Sequence, residues 1–131
     1  MPNQVDITVK KADGTTDITY SKVVPSAGNS SPAKWQGPIG AALAHKPILQ
    51  VKSSQNAQGT VRFIEYSFTY PETVTGTDGK TSVVNRFGFT IRVVRPSDMS
   101  DAVIAEAVAQ GANLFASAHS KAMLNEGYAA T

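Results

Sequence analysis

The chain has 131 residues, 41% hydrophobic and 17% charged, a length that predicts one domain over 1–131 with enough material for a core. It has no cysteine, which excludes disulfides, thiolate metal sites and cysteine nucleophiles, and no apolar stretch approaches the roughly 20 residues that span a bilayer. Twelve Lys and Arg face ten Asp and Glu, and a formal charge of +2 points to a nucleic-acid partner only if the basic residues share a face.

The N-terminal segment 1–6 has no basic-then-apolar pattern of a secretory signal, so the expected compartment is the cytosol of the cell that makes the chain. Val5, Ile7 and Val9 alternate with Asp6, Thr8 and Lys10, the pattern of a half-buried strand. Asp13-Gly14 is a hairpin turn signal, and Thr15 to Val24 returns as a second strand through Ile18 and Tyr20. Pro25 to Pro32 is a loop, and the glycosylation-like triplet Asn29-Ser30-Ser31 inside it reads as loop chemistry only. A short strand around Ala33 to Gln36 carries the only tryptophan, Trp35, and Gly37-Pro38 ends it.

Ala41 to Lys46 leads into a strand from Pro47 to Ser54, with Leu49 and Val51 on one face and Gln50 and Lys52 on the other. After a polar turn at Gln55 to Gly59, Thr60 to Tyr70 reads as a long strand, Pro71 to Lys80 as a loop, and Thr81 to Arg95 as the longest strand. Parity sorts the residues. Ile64, Tyr66, Phe68 and Tyr70 share a face, as do Phe87, Phe89, Ile91 and Val93, while Phe63, Glu65, Ser67, Arg86, Thr90 and Arg92 point the other way. An antiparallel sheet can keep one such face in water, and here that face carries Lys52, Arg86 and Arg92 against Glu65.

At Pro96 the period changes from two to that of a helix. Ser97 is the expected N-cap, with Asp98 and Asp101 in the first turn, where negative charge suits the helix dipole. Ile104, Val108, Gly111 and Phe115 fall on one stripe, broadened by Val103, Ala107 and Leu114. Gly111 would serve close packing or a bend. A second helix is expected from Ser117 to Glu126, closed by Gly127. The fold class is therefore α+β: an N-terminal β-hairpin and an antiparallel meander sheet, followed by two C-terminal helices.

Enzyme chemistry finds little support. Gly76 to Thr81 ends like a phosphate loop, but position 74 is Val74 where that motif needs glycine, and a strand follows instead of a helix. His45 and His119, the only histidines, are far apart and have no second ligand nearby, so no metal or other cofactor is expected. Ser120 lies one step around a helix from His119, which makes their side chains diverge. A small α+β enzyme would also need polar catalytic groups among the apolar-face residues, which offer chiefly tyrosines; no catalytic residue is assigned. Of the aromatics on the long middle strand, Phe63 is the one on the polar face, where it could stack on a base or fill an edge. Basic side chains on a sheet can pair with phosphates, and Ser, Thr and Gln can read bases or sugars.

The order of parts resembles the coat proteins of single-stranded RNA bacteriophages, the levivirus kind, over nearly the whole chain. An N-terminal hairpin, a tryptophan-bearing strand, three long strands and two helices follow in that order. The ending Leu124-Asn125-Glu126-Gly127-Tyr128 resembles the family's endings, and Val51-Lys52-Ser53-Ser54 resembles its Val-Arg-Gln-Ser-Ser. The resemblance implies an intertwined dimer with one continuous sheet, the helices of each copy lying across the sheet of the other. Phe87, Phe89, Ile91, Ile104, Val108 and Phe115 would then form the dimer interface. It further implies an icosahedral virion shell, assembled in the bacterial cytoplasm, with the segment Val74 to Lys80 meeting its copies at the symmetry axes. The other sheet face would look inward at genomic single-stranded RNA through Gln50, Lys52, Glu65, Ser67, Arg86, Thr90 and Arg92, and would repress replicase translation by holding an RNA hairpin. The family's tyrosine and asparagine on the last strand have no clear equivalents; Gly88 and Thr90 sit near those places. The resemblance implies no membrane and no small-molecule substrate. The rival reading is a dimeric RNA-binding regulator that builds no shell.

Overall fold

A computed structural model describes residues 2–40 and 42–131; Met1 and Ala41, the latter at the head of the segment expected to lead into the Pro47 strand, lie outside the described residues. The chain forms two compact units, 1–94 and 95–131. The first is a six-stranded sheet in sequence order: β1 (Ile7–Lys10), β2 (Asp17–Val24), β3 (Pro32–Gln36), β4 (Ile48–Gln55), β5 (Val61–Thr75) and β6 (Thr81–Pro96, whose last two residues fall in the second unit). The second contains α1 (Asp101–Phe115) and α2 (Ala118–Glu126). The expected α+β order is the observed one.

Side-chain hydrogen bonds set several boundaries. Val5 and Asp6 were expected within the first strand, yet the strand begins at Ile7. The Val5 carbonyl accepts the Trp35 indole N–H at 2.7 Å, and the Asp6 carboxylate accepts the Lys22 N–H at 2.9 Å. Next to them the β2–β3 register slips between Lys22 and Val24, a bulge-like irregularity. The Gln4 amide donates to the Val24 and Lys34 carbonyls there, at 3.0 and 2.9 Å. Thr15 and Thr16 are withheld from β2 because both their N–H groups donate to Asp13 Oδ1, each at 2.9 Å.

Between β3 and β4, Leu43–His45 form one 3-10 turn that contains His45. Gly40 has a φ of 101°, and a Cβ there would meet the His45 Cβ at 2.7 Å, so only glycine fits this bend. The most visible departure from expectation is at Pro71, which was placed in a loop. It is buried inside β5, and that strand continues to Thr75. β4 begins at Ile48, opposite Thr69, so beyond Thr69 that edge of β5 has no β4 partner, and proline is tolerated on an open edge. Thr73, Val74 and Thr75 are β-branched and favour the extension. The tip shrinks to a short turn closed by its own amides: the Gly76 N–H donates to the Lys80 carbonyl at 2.8 Å, the Gly79 N–H to the Gly76 carbonyl at 3.0 Å and the Lys80 N–H to Asp78 Oδ1 at 3.1 Å. The phosphate-loop likeness ends in that turn.

The first helix starts later than expected. Residues 97–99 form a turn and bend, and Ser100 is the N-cap, without a side-chain cap bond. Asp101 in the first turn approaches Arg95 Nη2 at 3.7 Å. Ser117 caps α2 by accepting the Ser120 N–H at 3.2 Å, and Gly127 ends it with a φ of 77°. Among the described residues outside its own helical turn, nothing lies within 4 Å of a Cβ added at Gly111.

Very little is buried. Among the described residues only Ala33, Gly37, Pro47 and Pro71 are inside, and neither helix buries a residue. Of the patterned apolar side chains, Leu49, Phe68 and Phe89 are half-buried, and Phe87, Val108 and Leu114 are exposed.

Candidate nucleic-acid interface

The register assigns side chains to faces. Trp35 lies opposite Leu49, and Leu49 opposite Phe68; Ala33 lies opposite Val51, and Val51 opposite Tyr66. Tyr20 and Phe89 join this face through Phe68, with ring centroids 6.2 and 5.2 Å away. Burial, and then the neighbouring Tyr70 phenol, push the Tyr20 hydroxyl above its ordinary pKa.

On the opposite face the ladder brings together Lys34, Gln50 and Ser67 in one row, and Lys52 and Glu65 in the next. Lys52 Nζ lies 3.3 Å from Glu65 Oε2. Arg92 Cζ sits over the Phe63 ring, 4.2 Å from its centroid, which shows that β6 presents Arg92 on this same face. Arg86 and Thr90 share its parity on β6, and both are exposed. All seven residues expected on the polar face are thus on strands of one sheet. Gln50 and Ser67 are direct cross-strand neighbours, as are Lys52 and Glu65.

Two features escaped the sequence reading. Lys34 is on this face because Ala33 and Trp35 are on the other; the alternation in Ala33–Gln36 carried that signal. The second is the distribution of charge. Ten of the twelve basic residues but only six of the ten acidic ones fall in residues 1–94, leaving the sheet unit at +4 and the helical unit at −2. The near-neutral total conceals a basic sheet. Among the described residues no group of three or more His, Cys, Asp or Glu is placed to hold a metal.

The expected interface residues Phe87, Phe89 and Ile91 lie on β6, and Ile104, Val108 and Phe115 on α1. Phe87 is 52% exposed and Val108 60%.

This arrangement, a six-stranded antiparallel meander followed by two helices, is the fold of RNA phage coat proteins. The chain superposes on the virus-like particle of Beihai levi-like virus 21 with a TM-score of 0.83 and 17% identity, over 99% of both chains. It matches the virus-like particle of bacteriophage NT-214 with a TM-score of 0.83 and 12% identity, over 99% of this chain and 100% of that one. The bacteriophage GA capsid protein gives 0.75 and 15%, over 95% of each. No family model and no curated protein matches the sequence.

Proposed function

We propose that this chain is the coat subunit of a single-stranded RNA virion: a structural protein, not an enzyme. Dimers would form an icosahedral shell and package the genome against the basic sheet face. The observation that carries the reading is the full-length match to chains solved as virus-like particles, with 99% of each chain covered. The exposed apolar face supplies the physical reason. Burying a large apolar side chain contributes roughly 1.5–3 kcal/mol, and a chain that buries almost none of its own needs a second copy to gain that energy. In the proposed dimer, Phe87, Phe89 and Ile91 of one copy meet Ile104, Val108 and Phe115 of the other.

On the inward face Lys52, Arg86 and Arg92 neutralise phosphates, while Gln50, Ser67 and Thr90 reach sugars and bases. Glu65 tempers the charge of Lys52. Repression of replicase translation through an RNA hairpin belongs to the same proposal, as does assembly in the bacterial cytoplasm. Expression in bacteria followed by electron microscopy and gel filtration tests it. Closed particles eluting in the void volume are expected. A species that light scattering sizes as a dimer at every concentration, with RNA bound, would show a regulator instead, and small RNA-free monomers would remove both readings.

A further inference from the structure

Arg92 differs from Lys52, its fellow basic residue on the polar face. Lys52 is paired with a carboxylate, and its charge is partly spent. Arg92 is exposed and has no carboxylate partner among the described residues, yet an uncharged ring 4.2 Å away holds its guanidinium in place. That contact orders the group without neutralising it. We propose that Arg92, positioned by Phe63, is a stacking platform for an unpaired base of single-stranded RNA. This rests on the reading of the polar face as an RNA interface, and it assigns one site there a ligand chemistry.

The chemistry follows from the guanidinium. It is planar and delocalised, and it stacks on rings as well as pairing with phosphates, whereas an ammonium can only pair. A guanidinium resting on Phe63 still has a face directed away from that ring. Splayed bases of single-stranded RNA stack on arginine planes and aromatic rings, and this stacking tolerates any base because each has a π-face. Bases paired in an A-form duplex do not offer that face. The surroundings suit a nucleotide: Ser54 lies directly across from Phe63, and Thr90 is two residues along β6 on the same face. Phe63 itself is half-buried, which leaves the exposed guanidinium as the contacting surface and makes Phe63 a positioning residue.

The test uses the full-length protein freed of nucleic acid. The probes are a short single-stranded RNA containing 2-aminopurine and a duplex RNA of equal length, titrated over a salt series. For the single strand, Arg92→Lys should lose about tenfold in affinity and the fluorescence quenching that reports stacking, while keeping the salt slope because the charge remains. Phe63→Leu should weaken quenching with Arg92 still present. Lys34→Gln should instead flatten the salt slope by about 0.7 and leave quenching in place. Wild-type affinity and quenching in Arg92→Lys would overturn the stacking site and leave Arg92 a phosphate contact. Equal losses on single strand and duplex would overturn it too. A wild-type protein that binds neither RNA overturns the reading of the face itself, and the stacking site falls with it.

Discussion

On one face of the sheet Tyr20, Trp35, Leu49, Phe68 and Phe89 follow one another from strand to strand; on the other, Lys34, Gln50, Lys52, Glu65 and Arg92 do. The same alternation produces both rows, yet the rows behave differently. The apolar one makes ring-to-ring contacts, and each of its members is half-buried. The polar one is held by single, separable interactions, an ion pair and a cation–π contact. A slip of one residue in any strand would exchange the two sets, so the pairing that protects the apolar row also fixes the address of every basic side chain. If the proposed function holds, stability is concentrated on one face and recognition on the other, and substitutions should separate them.

The largest effect is expected at Phe68, which has ring neighbours in Tyr20, Tyr70 and Phe89. Phe68→Ala should lower stability by about 3 kcal/mol in urea unfolding and abolish the void-volume peak. Gly88→Ala comes next. A Cβ at that position would lie 3.0 Å from the Phe68 carbonyl oxygen of the adjacent strand, and the crowding should cost about 1 kcal/mol. Glu65→Gln probes the opposite face. It should change stability by less than about 1 kcal/mol, since the pair is partly solvated, and should tighten RNA binding by freeing Lys52. A salt slope steeper by about 0.7 is the readout.

The two faces were also unequally legible in the sequence. Period-two alternation in Ile48–Gln55 and in the first ten residues of β5 sorted those side chains correctly, because alternation is a purely local property. Pro71 misled, since the residue reads as a strand breaker until one knows that β4 begins only opposite Thr69 and leaves the rest of that edge without a β4 partner. The late start of β1 depends on the Trp35 indole, thirty positions away, and no local pattern contains it. The N-cap was expected at Ser97 and lies at Ser100 for a local reason: both are serines beside an aspartate, and composition does not rank them. Phe63 and Arg92 were each placed on the polar face by parity, but their contact depends on the β5–β6 pairing. Lys34 was readable from the alternation with Ala33 and Trp35, and the sequence reading did not assign it.

Ionisation gives two gentler ways to probe the comparison. Tyr20 belongs to the apolar row, and burial raises its pKa above the ordinary 10.0. In the unfolded chain the phenol ionises first. The stability it contributes is therefore full below about pH 10 and is lost as pH rises through the higher folded value. Alkaline unfolding of Tyr20→Phe should lack that decline.

Asp13 lies in the β1–β2 turn, outside both rows, and gives the smallest effect. The Thr16 hydroxyl at 2.5 Å is the main reason its pKa falls from 3.8 to about 2, with the Thr16 and Thr15 amides adding to it. The folded state thus prefers the carboxylate, so its contribution is complete above about pH 4 and drains away as pH falls through about 2. The group is fully solvated, and the bonds it makes reach only two and three residues along the chain. Asp13→Asn should consequently flatten the acid limb of a stability titration slightly while leaving particle yield and RNA content unchanged. A loss of particles in that variant would mean that the turn takes part in contacts between copies, and the division of labour between the two sheet faces would then have to include a third region.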